Sequence, residues 1–403
     1  MKTIALIDTH QGGHHLTYLR FFTKSLLELG YRVMTFCPEP TEVSKWITRN
    51  CAKQAHLLYA FKAQEPKPIQ LPIIGRLPQP LTVLIRWRYA AATIQNASSK
   101  VGNSPDLVFF TWIDNYLSHY LTHHIVDQIF PYNWSGLYVH PSHLRFKRRL
   151  LPIRRDPLSH SAILQSSRCR AVAVLNEDIV EELQDKIKSP VITFPDVADE
   201  SPPDLNFPIA KQVREKAGVR KVIGLLGSLN KRKGFLTLLE VAQKAMGEDW
   251  FFVFAGPLSK HDFSHQELTR IQTIVQSNPS NCLFHFESIP DGAPFNALVN
   301  ECDILFAAYE NFPYSSNILT KAAVFKKPVV VSDTFCIGTR VRKFKLGLSI
   351  PEGDISKCIE TLRCLCNQSE LNAYPFQPDF ESYHRLHSNE KLCAVFQAIL
   401  DPV

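Results

Sequence analysis

Short, wholly apolar runs alternate with amphipathic stretches along this chain, and that alternation limits the folds open to it. In the first half TIALID, YRVMTFCP, DLVFFTWID, SGLYVH and AVAVLN each read as a strand buried on both faces. TYLRFFTKSLLELG, between the first two, is apolar at helical spacing and closes on Gly30, a helix stop. In the second half KVIGLLGS, WFFVFAGP, NCLFHFES, CDILFAAY and PVVVSD repeat the strand signal, and GFLTLLEVAQKAM reads as an amphipathic helix. Strands alternating with helices predict a parallel, doubly wound sheet. A chain of 403 residues exceeds one ordinary core, so two such α/β domains in tandem are expected. The proline-bearing run FPDVADESPPDLNFP, Phe194 to Pro208, reads as the bridge between them. The proline-rich stretch from Phe61 to Pro80 has no clear period and reads as a surface excursion.

Composition excludes several classes. With 45% hydrophobic residues the chain forms a core and is not a disordered one. The ten cysteines are scattered, and the closest pair, Cys364 and Cys366, has no second pair at metal-ligand spacing. Free thiols of a reducing cytosol are the expectation. KTIALI is too short for the apolar region of a signal peptide, and no run approaches the roughly 18 apolar residues of a membrane span. The net charge is +7, and residues 1–200 hold most of the excess, with 23 Lys/Arg against 17 Asp/Glu. Much of it lies in LRFKRRLLPIRR. The basic residues there, Arg145 to Arg155, are interleaved with Leu, Ile and Phe, a pattern that suits an anionic membrane surface, an acidic acceptor or a solvated loop. No nucleic-acid-binding module surrounds them, so nucleic acid is not an expected partner.

Two strand-to-helix turns carry the candidate chemistry. In IDTHQGGHHLTYL, Gly12 and Gly13 permit positive φ and close approach of a ligand, and the helix start behind them offers N–H groups to an anion. A glycine pair alone also serves as a tight turn, and His14 and His15 are either ligand contacts or helix caps. In GLLGSLNKRKGFLTLL, Ser228 leaves the strand and Lys231, Arg232 and Lys233 follow before Gly234 opens a helix. Three cations at the carboxyl edge of a parallel sheet make a candidate diphosphate site.

GSLNKRKGFLTLLEVA resembles the G-R-L-x-x-x-K-G motif that opens the second domain of GT-B glycosyltransferases, particularly glycosyltransferase family 4. FFVFAGP resembles the next strand of that family, CDILFAAYENFP the strand bearing its donor-site glutamate, and KKPVVVSD its G-x-P-V-V segment. The likeness covers about the last 180 residues. It implies two Rossmann-like domains facing across a cleft: an acceptor-side domain over 1–198, a linker over 199–216 and a donor-side domain over 217–376. Residues 377–403 would be a final helix crossing back to the first domain.

Carried over residue by residue, Lys233 matches the lysine that grips the donor diphosphate. Ser228 stands where the family has arginine, with Arg232 or Lys231 left to compensate. Glu310 matches the glutamate beside the donor sugar. Lys321 aligns with the family's ribose-binding glutamate, after a spacing about three residues too long. A lysine accepts no hydrogen bond, so its donor-site role would be to add positive charge near the diphosphate, unless it pairs with an acid or is a solvated helix lysine. Ser315, Ser316 and Asn317 suit a helix N-cap before Ile318, whose helix would turn N–H groups toward the phosphates. His140, after SGLYV, matches a histidine placed near the reacting carbon, and Asp114 is a similar strand-end candidate. The resemblance implies retaining, metal-independent hexosyl transfer from a nucleotide sugar, without a cofactor, to a sugar, lipid-linked or small-molecule acceptor. A sugar-nucleotide epimerase or hydrolase, or a binding or scaffold protein with an impaired donor site, are the alternatives.

Overall fold

The computed structural model describes residues 1–10, 15–66, 70–71, 75–141, 144, 159–367 and 377–401. Gly12, Gly13, His14 and the basic stretch Arg145 to Arg155 therefore lie outside the described residues. The chain divides into two units, Met1–Val197 with Ser388–Val403, and Ala198–His387.

Unit 1 contains β1 (Thr3–Ile7), β2 (Arg32–Cys37), β3 (Leu58–Lys62), β4 (Gln70–Leu71), β5 (Gly75–Arg76), β6 (Leu107–Phe110), β7 (Trp134–Tyr138), β8 (Cys169–Val174) and β9 (Val191–Thr193). Among the described residues β3-β2-β1-β6-β7-β8-β9 form one parallel sheet of seven strands, and β4 and β5 pair antiparallel by themselves. The continuous apolar runs are the cause. On β6, Leu107 and Phe109 point into one core and Val108 and Phe110 into the other, because successive side chains alternate across the sheet. One core packs against the helix Gln79–Val101 through Trp87, which meets Phe110, Phe130 and Trp134 edge-on. The other packs against the helix His15–Glu28, where Phe22 meets Phe109, Phe194 and Phe396. Phe396 belongs to the helix Asn389–Leu400, so this last helix completes the core of unit 1.

Unit 2 contains β10 (Lys221–Leu226), β11 (Trp250–Ala255), β12 (Cys282–His285), β13 (Ile304–Ala307), β14 (Val329–Ser332) and β15 (Gly347–Ile350). Among the described residues they form one parallel sheet in the order β12-β11-β10-β13-β14-β15. The helix Pro208–Ala217 precedes β10, and all of it but Ala217 falls in the range read as linker. The fold is thus two parallel α/β sheets, as the alternation predicts. The stretch read as a surface excursion starts inside β3 and holds the β4–β5 pair. β3 lies at the sheet edge and is only half-buried, so LYAFK lacks the strong apolar signal of the central strands. All ten cysteines are free, and burial pushes the thiols of Cys169, Cys282, Cys302 and Cys358 up to about 12.

Trp87 is fully buried and donates its indole N–H to the Tyr116 carbonyl at 2.9 Å. Replacing Trp87 with Ala should remove about 3–5 kcal/mol from the stability of unit 1. Denaturant unfolding followed by circular dichroism, with the transition of unit 1 resolved from that of unit 2, reads the loss directly.

Candidate functional site

Each sheet places its first strand in the middle. β1 pairs with β2 on one side and β6 on the other, and β10 pairs with β11 and β13. The connections leaving the two neighbouring strands depart in opposite directions, so a crevice opens at the carboxyl ends of β1 and β6, and of β10 and β13. The polar residues gather at those two places.

In unit 2 the β10 end supplies Gly227, Ser228 and the short 3-10 turn Lys231–Lys233. Asn230 caps that turn by accepting the Lys233 N–H at 2.9 Å. Gly234 follows at φ +72°, and a Cβ there would run into the Ala308 carbonyl oxygen, so only glycine allows this approach to the β13 end. The β13 end supplies Tyr309 and Glu310. The Lys233 ammonium sits 5.7 Å from the Tyr309 ring centre and close against Gly227. Arg232 lies 4.5 Å over the Phe312 ring, and its carbonyl accepts the Glu310 N–H at 2.7 Å. The Glu310 carboxylate accepts from the Thr237 hydroxyl at 2.9 Å. Lys231 instead pairs with Glu267 at 2.5 Å. Lys233, Arg232 and Glu310 are thus brought together, with Ser228 on the same turn.

The helix expected near Ser316 starts at Ile318, with Asn317 at its N-cap and no side-chain capping bond. The Leu319 N–H is taken by the Ser316 carbonyl at 3.2 Å, and Ser316 and Tyr309 share a hydroxyl contact at 3.3 Å. Lys321 is 2% exposed. Its ammonium donates to the Asp199 carbonyl and to the Asn296 side-chain oxygen. Burial holds its pKa below the usual lysine range, against the pull of Asp199, Asp291 and Glu200. Arg340, which the sequence does not single out, is buried on the helix Phe335–Phe344 and donates to the Ser315 hydroxyl at 2.5 Å.

In unit 1 the β1 end supplies Asp8, His10 and His15, and the β6 end supplies Thr111, Trp112 and Asp114. Asp8 is 3% exposed and accepts from His15 Nδ1 at 3.0 Å on each oxygen, from the Thr111 hydroxyl at 2.8 Å and from the His10 N–H at 3.2 Å. The Trp112 ring lies 4.3 Å from that of His15. Asp114 accepts the His140 and Val139 backbone N–H groups at 2.7 and 3.0 Å. A pocket of about 390 Å³ is lined by His10, His15, Trp112, Asp114, Asn115, His140 and His160. His15, Asp114 and His140 therefore share one pocket. Asp8, His10, Trp112 and His160 are missed by the sequence reading; only Asp8 carries a signal there, its place at a strand end.

Burial pushes the Asp114 carboxyl up to about 6, although the Val139 and His140 amides pull it down. Burial, with His119 nearby, pulls the His160 imidazole down to about 4. The two act on stability in opposite directions. The raised Asp114 value lets the folded chain keep a proton that the unfolded chain loses, so its contribution fades as pH rises from about 4 to about 6. The depressed His160 value favours folding above about 6.5 and loses stability as pH falls toward about 4. Asp114→Asn removes the first slope and leaves the second. Relative to wild type, the variant's unit 1 should gain roughly 2–3 kcal/mol more stability between pH 4 and pH 6.5. Urea midpoints across that range measure it, and parallel curves for the two proteins would contradict it.

The family model described as "Glycosyl transferases group 1" matches residues 206–377, the segment that carries Lys233, Glu310 and Lys321. No curated protein matches the sequence. Solved structures match along its whole length. The sucrose-phosphate synthase from Thermosynechococcus elongatus is similar at 15% identity and TM-score 0.62, covering 99% of this chain and 98% of its own. HepE from Anabaena, in complex with UDP and glucose, is similar at 13% identity and TM-score 0.64 over all of both chains. WaaG, a glycosyltransferase involved in lipopolysaccharide biosynthesis, is similar at 13% identity and TM-score 0.61 over all of both chains. The chain thus has the two-sheet GT-B fold of these structures, and its second unit carries the segment that the group 1 glycosyl transferase model matches.

Proposed function

We propose that the chain transfers a sugar from a nucleotide-sugar donor to an acceptor hydroxyl. The observation that carries this reading is the meeting of Lys233, Arg232 and Glu310 at the carboxyl ends of β10 and β13, inside the segment matched by the group 1 glycosyl transferase model. The UDP and UDP-glucose complexes of HepE support a nucleotide-sugar donor. Transfer breaks the bond between the anomeric carbon and the diphosphate oxygen. Positive charge grows on the sugar and negative charge on the leaving group. Fixed cations next to that oxygen lower the barrier because they need no reorientation as the charge develops. Lys233 and Arg232 take this role, which asks for no metal on the donor side. Glu310 holds the sugar ring, and Ser228, Ser316, Asn317 and Ile318 line the diphosphate.

In unit 1, His14, His15 and Asp114 receive the acceptor, His140 stands as a catalytic residue near the reacting carbon, and Gly13 lets the donor approach its backbone. The resemblance to family 4 supports hexosyl transfer with retention and without a cofactor. The free cysteines suit a cytoplasmic protein, and no described helix is long and apolar enough to cross a membrane. The basic stretch Arg145 to Arg155 would bring the protein to an anionic membrane carrying a lipid-linked acceptor. The domain roles follow the same division, acceptor before the 199–216 linker and donor after it, with 377–403 completing the fold.

Lys321 favours a second reading. Its buried ammonium leaves the ribose position of the resemblance without a carboxylate, as a donor-site-impaired binding protein would have it. Incubation with a panel of nucleotide sugars and no acceptor separates the two. A transferase releases nucleoside diphosphate slowly, and Lys233→Ala should cut kcat/KM about 10²–10³-fold. A chain that binds the nucleotides and releases nothing is a binding protein.

A further inference from the structure

We propose a divalent transition-metal site in unit 1 formed by Asp8, His10 and His15. It stands apart from the donor chemistry and departs from the sequence expectation, which gave the chain no metal. One ligand atom from each of the three lies within 4.8 Å of the others. Two nitrogens and one carboxylate suit zinc, cobalt or nickel rather than magnesium or calcium, which prefer oxygen.

The geometry is that of a ligand set before its cation. His15 Nδ1 stands 3.0 Å from each Asp8 oxygen. A cation at bond lengths near 2.1 Å to a nitrogen and an oxygen so spaced makes an angle of about 90° between them, as a metal with open positions accepts. The same bond lengths hold ligand atoms within about 4 Å of one another, so His10 has at most about 1 Å to travel. The cation replaces the proton shared by His15 and Asp8.

The outer partners are already in place. His10 Nε2 faces a Glu65 oxygen at 3.3 Å, and Arg86 holds Glu65 in turn. A carboxylate behind an imidazole fixes ring and tautomer, the usual arrangement around metal-ligating histidines. The Thr111 hydroxyl takes one lone pair of Asp8 Oδ2, and the other, which faces His15 Nδ1, is the one a cation would take. Space is present on both sides. Asp8, His10 and His15 line a cavity of about 50 Å³ together with Cys37 and Glu39, enough for an ion and a water. His10 and His15 also line the 390 Å³ pocket, so open coordination positions there would meet an acceptor hydroxyl.

The test uses the full chain, freed of any affinity tag and stripped with chelator, titrated with Zn²⁺ by calorimetry and with Co²⁺ by visible absorption. One equivalent per chain is expected, with ligand-field bands for Co²⁺. His10→Ala should weaken binding at least about tenfold, and Glu65→Gln by about 10–100-fold. Among the described residues Glu65 touches the site through His10, so this variant keeps the test open if changes at Asp8 unfold the chain. No saturable binding by a chain with a native circular dichroism spectrum overturns the proposal. So does an affinity unchanged in both variants, or one lost in His123→Ala, where His123 and His124 stand 4.0 Å apart at another place on unit 1. Release of nucleoside diphosphate, measured on the same samples, tells a missing metal site from a missing transferase.

Discussion

Parallel pairing on both sides of the first strand fixes where chemistry can occur in each unit. β1 lies between β2 and β6, with Ile7 opposite both Phe36 and Phe110. β10 lies between β11 and β13 in the same manner. The register sets more than stability. Because side chains alternate along a strand, a slip of one residue would turn Phe109 and Phe110 into each other's cores and carry every residue beyond the strand end to the wrong face. Asp8 follows Ile7 directly and is tied into the sheet by its own N–H, which donates to the Phe36 carbonyl at 3.0 Å. Its carboxylate therefore reaches Thr111 and His15 with the precision of the sheet, although all three belong to loops or their margins.

Lys321 marks where unit 2 departs from the resemblance. Burying an ammonium is costly unless hydrogen bonds replace its water. The acceptors here are a peptide carbonyl and an amide oxygen, both neutral, while the nearby acids act from farther away. Asn296 in turn donates to the Asp199 and Ser201 carbonyls at 3.2 and 2.7 Å. The lysine thus fastens the start of unit 2 to the helices Ala293–Glu301 and Ile318–Val324. A charge spent this way is not available to a phosphate. The glutamate-to-lysine difference from the resemblance is thus a structural exchange within unit 2.

The central strands were legible because a parallel strand covered on both faces must be apolar throughout, and TIALI, LVFF, WFFVFA and VVVS carry that signature without help from neighbours. LYAFK, VIT and GLSI were not legible. They are edge strands, half-buried and short, and the sheet recruits them more than their own pattern does. The same division runs through the sites. Lys233 and Glu310 could be read because a local motif holds them. His10 gains meaning only when Glu65 comes to it, and Trp112 only when it meets His15, from distant parts of the chain. Arg340 is the extreme case, an arginine on an amphipathic helix that only the fold turns inward onto Ser315.

The run of three cations in KRK shows how neighbours decide what a charge does. By charge alone, Lys231, Arg232 and Lys233 are equivalent. In the fold Lys231 is half exposed and paired with Glu267, an ion pair in solvent that contributes little. Arg232 rests on the face of Phe312, which leaves its N–H edge available and restricts its motion. Lys233 lies against Gly227 and Tyr309, at the join of β10 and β13. Only the last two are held by groups that do not neutralise them. A cation held by an aromatic ring has no countercharge beside it, whereas one paired with a carboxylate has its charge partly offset. That difference, and not the count of basic residues, sets Arg232 and Lys233 apart from Lys231 at this edge of the sheet.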